Sequence, residues 1–340
     1  MKISGYLIDL EKTIETIRKK KYKTIALHLP EGLKSRTLKI VDTLEKETNC
    51  IIIVLADPCF GACDIANYEL KNIGVEFVIK IGHTSIPNLG NDFIPTVFIN
   101  ALSSKNISHI VKKSLVHLEG TRIGVVTTAQ HIHTIKIVES ILKKQNFESI
   151  ISDGDKRVYK KGQILGCNFS SGLKIADRVD SFLFIGSGNF HPLGLLLSTK
   201  KPVIAADPYS NTIKKQELID LKDTILRQRY GAIANSKNAK NFGILIGIKR
   251  GQQRLELIYK IKDMLKSLNK KSYYIEMDNF SSIKLQSYKN IDCFVSTSCP
   301  RIAIDDYLQY KKPIITPIEL EIVLNKRKWE DYQFDQINND

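Results

Sequence analysis

Short, continuous apolar runs recur along this chain in three matching sets, and that recurrence restricts what it can fold into. Thr24-Ile25-Ala26-Leu27-His28-Leu29, Cys50-Ile51-Ile52-Ile53-Val54-Leu55, Val75–Ile81 and Thr96–Ile99 form the first set. Thr121–Val126, Ser149-Ile150-Ile151, Ser181–Ile185 and Val203–Ala206 form the second, and Phe242–Ile248, Lys271–Met277, Asp292–Ser296 and Ile314-Ile315 the third. Runs of this kind read as strands buried on both faces, as in parallel sheets. Between them lie helical spacings through Val41 and Leu44, through Ile135, Val138 and Leu142, and through Leu255, Ile258, Ile261 and Leu265. Residues 64–73 read as a helix stopped by Gly74, 214–230 as a long amphipathic helix, and Leu7, Leu10, Ile14 and Ile17 predict a helix over 6–21. Alternating strands and helices are the signature of βαβ crossovers.

The sets keep step. Strands ending at Gly82-His83, Gly186-Ser187 and Ser298-Cys299 recur about every hundred residues, the usual domain size. Lys201-Pro202-Val203-Ile204 matches Lys312-Pro313-Ile314-Ile315. The expected architecture is α/β, with three similar domains, each a mostly parallel four-stranded sheet flanked by helices, packed around a centre. The boundaries read as 1–105, 106–212 and 213–340. The period is too long for a solenoid.

At 340 residues with 43% hydrophobic content, the chain can bury such cores. Leu193–Leu197 falls far short of the ~20 apolar residues of a membrane span. The first residues lack a signal peptide's apolar run, so a soluble, cytoplasmic protein with no membrane partner is expected. Six cysteines in such a chain are not a disulfide scaffold; kept reduced, they are core residues, nucleophiles or metal ligands. A net charge of +15, from 51 Lys and Arg against 36 Asp and Glu, points to an anionic partner such as RNA, a nucleotide or an acidic protein surface. The basic residues are spread widely, which fits a solvated surface equally well.

Ala56-Asp57-Pro58-Cys59-Phe60-Gly61-Ala62-Cys63-Asp64 follows the second strand. Asp-Pro ends a strand, and Gly61 and Ala62 permit close backbone approach. A thiol is thereby presented at the sheet's carboxyl edge, where ligands bind in open α/β folds. Cys167 and Cys299 occupy similar places. Cys50 and Cys293 sit in or beside apolar strands and read as core. The spacing of Cys59 and Cys63 also allows a zinc site with two of His83, His131 and His133.

No local loop could gather Cys63, Cys167 and Cys299. Strand ends of three domains facing one centre could, and three thiolates can hold a cubane iron–sulfur cluster with one iron left open. An open position separates catalytic from structural metal centres. Gly186-Ser187-Gly188-Asn189 is either an ordinary turn or a set of amide donors for a carboxylate. Glu31 and Gln252 stand at strand ends as candidate hydrogen-bonding partners. There is no phosphate loop and no full dinucleotide fingerprint.

The stretches around the three thiols, Asp57 to Asp64, Gln163-Ile164-Leu165-Gly166-Cys167-Asn168 and Ser298-Cys299-Pro300-Arg301-Ile302-Ala303-Ile304-Asp305-Asp306, resemble the cysteine motifs of the archaeal Dph2 family. These are the 2-(3-amino-3-carboxypropyl)histidine synthases of diphthamide biosynthesis. Pro30-Glu31-Gly32-Leu33 and Arg250-Gly251-Gln252 resemble further family segments, and the likeness runs from about Ile25 to Pro317. The resemblance implies three α/β domains with one cysteine each, and Cys63 rather than Cys59 as the first ligand. It implies a [4Fe–4S] cluster that donates an electron to S-adenosylmethionine, whose sulfonium breaks at the methionine Cγ. The 3-amino-3-carboxypropyl radical then adds to the imidazole C2 of one histidine in elongation factor 2. A homodimer and a separate electron donor are implied as well, and no stable nucleic-acid partner.

Two other readings compete. A quinolinate synthase-like dehydratase also resembles three α/β repeats around an open-iron cluster. A basic RNA-binding or scaffold protein with structural cysteines comes from another class, and predicts a colourless protein with salt-sensitive RNA binding. The polar tail from Lys326 to Asp340, holding the single tryptophan Trp329, reads as partly disordered.

Overall fold

Each set of apolar runs builds its own parallel sheet. The computed structural model describes residues 2–3, 5–57, 59–64, 68–87, 89 and 93–338. The first sheet consists of Thr24–His28, Ile51–Val54, Phe77–Ile81 and Thr96–Ile99. The second contains Arg122–Thr127, Glu148–Ile150, Ser181–Ile185 and Val203–Asp207. The third is made of Asn241–Gly247, Lys271–Met277, Cys293–Ser296 and Ile314–Ile315. In all three, the first strand in sequence lies between the second and the third, and the fourth pairs outside the third. This order reverses direction between the first and third strands, and the crevice at their carboxyl ends is where α/β sheets take ligands.

The expectation of four strands per sheet holds for the first and third. The second gains a fifth strand, Thr212–Lys214, running antiparallel to Val203–Asp207. A small antiparallel ribbon of Lys2–Ile3, Tyr6–Ile8 and Ala101–Ser103 was not legible in the pattern. The helix expected over 6–21 is therefore strand first and helix second, Glu11–Lys20. The physical reason is local. Leu7 faces out and Ile8 in, a period of two, and the Asp9 carboxylate then accepts from the Glu11 N–H and opens the helix. Of the helix expected over 64–73, Tyr68–Asn72 is described and Gly74 closes it at φ +80°, while 65–67 lie outside the described residues. The long helix runs Gln216–Ser236. No helix among the described residues is long and apolar enough to cross a membrane.

Each sheet is covered on both faces by its own apolar clusters. The three sheets also share a device at their opposite, amino ends. An acidic residue just before the third strand accepts the backbone N–H groups at the start of the first. Glu76 takes those of Lys23 and Thr24, Asp180 those of Thr121 and Arg122, and Asp292 those of Lys240 and Asn241. The acid's own N–H returns a bond to the first strand at 2.8–2.9 Å in all three. The hydrogen bonds hold all three carboxyls below their usual range: the Lys23 and Thr24 amides at Glu76, the Arg122 guanidinium and amide at Asp180, and the Asn241 and Lys240 amides at Asp292.

The tail differs from its expectation. Trp329 packs against the Tyr230 ring at 5.2 Å and the Tyr332 ring at 5.0 Å. Tyr332, Phe334, Asp335 and Ile337 are buried, and 339–340 lie outside the described residues.

Candidate metal centre

The carboxyl ends of the three sheets meet on one cavity of about 490 Å³. Gly82 and His83 come from the end of the first sheet's third strand, and Thr128 to Gln130 follow the second sheet's first strand. Lys249 and Gln252 follow the third sheet's first strand. Cys63, Cys167 and Cys299 all line this cavity, and all three are half-buried, whereas Cys50, Cys59 and Cys293 are buried. The three places are not equivalent in the repeat. Cys63 and Cys167 lie on long loops after a second strand, and Cys299 just after a third.

Cys63 is set by the third sheet's first loop. The Gly251 N–H donates to the Cys63 carbonyl at 3.1 Å, and a Cβ at Gly251 would stand 2.4 Å from the Cys63 Cα. Only glycine permits that approach. The Ser298 hydroxyl donates to Gln252 Oε1 at 2.8 Å, which turns the amide so that Nε2 faces Cys63 Sγ at 3.4 Å. Cys167 sits in a tight loop in which Leu165 and Asn168 exchange backbone bonds. Its neighbour Gly166 lies under the Phe190 ring, so close that a Cβ would meet a ring carbon at 2.0 Å. Arg301 stacks on that same ring, 3.6 Å from its centre.

Burial pushes the Cys63 thiol up, Cys167 up to about 11, and Cys299 well above the usual thiol range. Each of these thiols is further raised by charge on a neighbour, and Cys63 and Cys167 both act on Cys299. Left alone, the three are protonated at neutral pH and are poor nucleophiles. Three buried cations surround them. Arg157 donates to the Gly251 carbonyl at 2.8 Å and acts on both Cys63 and Cys167. Lys249 pairs with Asp64 at 3.0 Å, and Arg301 pairs with Asp305 at 2.6 Å. Such cations favour thiolates once something displaces the protons.

Among the described residues, no three His, Cys, Asp or Glu side chains close on one point as they would around a single ion. Ligands of one zinc stand ~2.3 Å from the metal, hence within a few ångströms of one another. A four-iron cube is several ångströms across and takes thiolates standing further apart, around a cavity. The donor set fits a cluster and not a lone ion. The zinc reading lacks its fourth corner. Cys59 Sγ lies 3.5 Å from His83 Nδ1, but His131 lies edge-on to Tyr209 in another cavity and His133 is exposed.

The remaining candidates separate. Gln252 is on the cavity wall and buried. Ser187 lines a smaller cavity of about 220 Å³ that shares Gly82, Thr128, Gln130 and His191 with the large one. Gly186, Gly188 and Asn189 flank Ser187. Gly188 has φ +73°, while Asn189 is tied to Glu217 at 2.6 Å and Lys214 at 2.9 Å. Glu31 is exposed and ion-paired with Lys34, between Pro30 and Gly32 of the smaller cavity. Neither Glu31 nor Asn189 lines the large cavity.

Sequence reasoning missed Arg157, Lys249 and His191. Arg157 falls in a polar stretch, and nothing in its neighbours distinguishes it from a solvated loop. Burial holds the His191 imidazole down to about 3, so it faces both cavities neutral.

The family model for diphthamide synthesis proteins matches residues 29–333. The chain belongs to the diphthamide-synthesis family. That membership sets aside the dehydratase and RNA-binding readings. The chain is 37% identical over 317 residues to the 2-(3-amino-3-carboxypropyl)histidine synthase of Pyrococcus horikoshii, covering 93% of this chain and 89% of that protein. It is 29% identical to subunit 1 of the Caenorhabditis elegans enzyme, covering 95% and 81% of the two chains. Against human subunit 1 the figures are 26% identity, 96% and 74%. The crystal structure of Dph2 from Pyrococcus horikoshii with a 4Fe-4S cluster superposes with a TM-score of 0.87 at 33% identity, covering 98% of this chain and 94% of that one.

Proposed function

We propose that Cys63, Cys167 and Cys299 are the protein ligands of a [4Fe–4S] cluster with one iron open to S-adenosylmethionine. The observation that carries this is their shared position on one cavity wall, half-buried with buried cations beside them, while the other three cysteines are buried and do not line it. The chain is a transferase, a 2-(3-amino-3-carboxypropyl)histidine synthase, and performs the first step of diphthamide biosynthesis. When bound and reduced, the cluster supplies the electron that cleaves the sulfonium at the methionine Cγ.

The chain's own groups bind and orient. Lys249 and Arg301 on the cavity, and Arg157, which acts on Cys63 and Cys167, offset the charge of three thiolates and a substrate carboxylate, while Asp278, Asp305 and Asp306 on the cavity face a cationic sulfonium and amine. Gln252, held by the Ser298 hydroxyl, donates to Cys63 Sγ and would orient that thiolate towards a bound cluster. The smaller cavity takes the rest of the cosubstrate, with Ser187 on its wall and Glu31, Gly186, Gly188 and Asn189 beside it. Cleavage inside a walled cavity keeps the carbon radical away from water until the imidazole C2 of an elongation factor 2 histidine reaches it. The chain divides into units 1–105, 106–212 and 213–340, each supplying one of the three cavity thiols. It works as a cytoplasmic homodimer of archaeal type and takes its electron from a separate donor.

The test is chromatography of an anaerobic reaction of reconstituted protein, dithionite and S-adenosylmethionine. The expected product is 5′-methylthioadenosine, lost in Cys63→Ala, Cys167→Ala and Cys299→Ala and kept in Cys59→Ala. 5′-Deoxyadenosine as the main product overturns the bond assignment, and a bleached Cys59→Ala beside a loaded Cys63→Ala overturns the ligand set.

A further inference from the structure

Beyond the third sheet the chain turns back and lies along the loop that carries Cys167. The Ile337 N–H donates to the Cys167 carbonyl at 2.9 Å, and the Asn168 side-chain amide donates to the Ile337 carbonyl at 2.9 Å. The Phe169 N–H donates to Gln336 Oε1 at 2.8 Å. Three consecutive residues of the cysteine loop are thus each bonded to 336–337. Phe334 is buried edge-on against Phe169 at 5.7 Å, with Arg301 over its face at 5.7 Å.

The segment is anchored at Asp335. This carboxylate is 2% exposed and is gripped by Arg254 through two bonds of 2.7 Å each. Arg254 stands two residues after Gln252, on the same loop that positions Cys63, and begins the helix Leu255–Lys266. One end of the strap is therefore fixed to the loop that sets Cys63, and the other to Cys167. A bidentate pair this buried is a weak source of net stability, but it fixes register, because sliding the strap leaves a charge uncompensated.

We propose that residues 334–338 are a positioning strap for Cys167, locked by the Arg254–Asp335 pair. Its role is to hold the second thiol in register with the first before a cluster is bound. Cys167 does not follow its sheet directly; it lies on a long loop, and the strap supplies the rigidity that a strand end gives Cys299. The inference rests on Cys167 being a cluster ligand.

The experiment uses the full chain carrying Asp335→Asn, Ile337→Pro or the charge swap Arg254→Asp/Asp335→Arg. Ile337→Pro removes the N–H that meets the Cys167 carbonyl and exchanges a buried side chain for a ring, so its melting curve is read beside it. Two quantities are read: iron retained against a ferrous chelator after anaerobic reconstitution, and the alkylation rates of Cys167 and Cys63 in the metal-free chain, resolved by peptide mass. Both single variants should lose iron on the order of 10- to 100-fold more readily, as when groups that orient a metal ligand are removed. Cys167 should alkylate faster with Cys63 unchanged, and the swap should restore both readouts towards the unsubstituted chain. Unchanged iron retention and alkylation in both variants overturn the strap, as does iron loss that tracks the melted fraction alone. Cys167→Ala is the control: if it keeps a full cluster, the ligand reading fails; if it loses the cluster while both strap variants keep it, the strap alone fails.

Discussion

Gly251 shows how much of this site depends on single residues of no obvious chemistry. Its N–H binds the Cys63 carbonyl, its carbonyl receives Arg157, and its missing side chain lets the Cys63 backbone lie against it. One residue of the third sheet's loop thus touches groups from the first and second. Gly251→Ala places a Cβ 2.4 Å from a backbone atom, which a rotamer change cannot relieve. Overpacking of this kind costs about 1–3 kcal/mol. The larger expected effect is displacement of Cys63: iron bound per chain and visible absorbance should fall sharply, while melting shifts by only a few degrees. Normal iron content in this variant would show that Cys63 has slack. At this scale the sequence was legible by residue type. Thiols are rare and few roles suit them, so Cys63, Cys167 and Cys299 could be singled out. Arg157 could not, because its burial exists only where three sheets meet.

The elements were the most legible level, since a strand buried on both faces must be apolar throughout. All twelve runs of the repeat became strands, with ends shifted by a residue or two. What escaped were pairings made by edges. Thr212–Lys214 and the ribbon of Tyr6–Ile8 with Ala101–Ser103 are short and polar on one side, so their pairing is decided by tertiary neighbours. The acid clamps of Glu76, Asp180 and Asp292 were also hidden, since one carboxylate before a strand looks like any turn residue. They carry a prediction in pH. Each carboxyl is held below its unfolded value, so its contribution is complete above about pH 5 and is lost as pH falls through the folded value. Between pH 6 and pH 3 the urea midpoint should therefore fall. In the combined Glu76→Gln, Asp180→Asn, Asp292→Asn chain it should start lower and fall less. Equal slopes for the two chains would mean that the acid response arises elsewhere.

At the scale of the whole molecule, the site is a meeting of three sheet edges rather than a property of any one. Each sheet alone presents a crevice of the ordinary α/β kind; together they enclose a cavity with one thiol from each. The sequence hinted at this only through spacing, because thiols so far apart can cooperate only if the sheets converge. The covalent continuity of the three sheets makes a prediction about assembly. Since all three thiols line a cavity within a single chain, the homodimer proposed above would hold two complete sites, neither borrowing a ligand from its partner. Chains carrying Cys63→Ala and chains carrying Cys299→Ala, co-expressed so that mixed dimers form, should therefore show no cluster absorbance and no 5′-methylthioadenosine. If the thiols were shared across a dimer interface, the mixed dimer would regain one intact set and a measurable part of the activity. A Glu31→Gln chain paired with Cys63→Ala serves as the control, because there the first chain keeps all three thiols and its dimers must still show a cluster. Absorbance from that control and none from the cysteine pair would place each catalytic centre wholly within one chain.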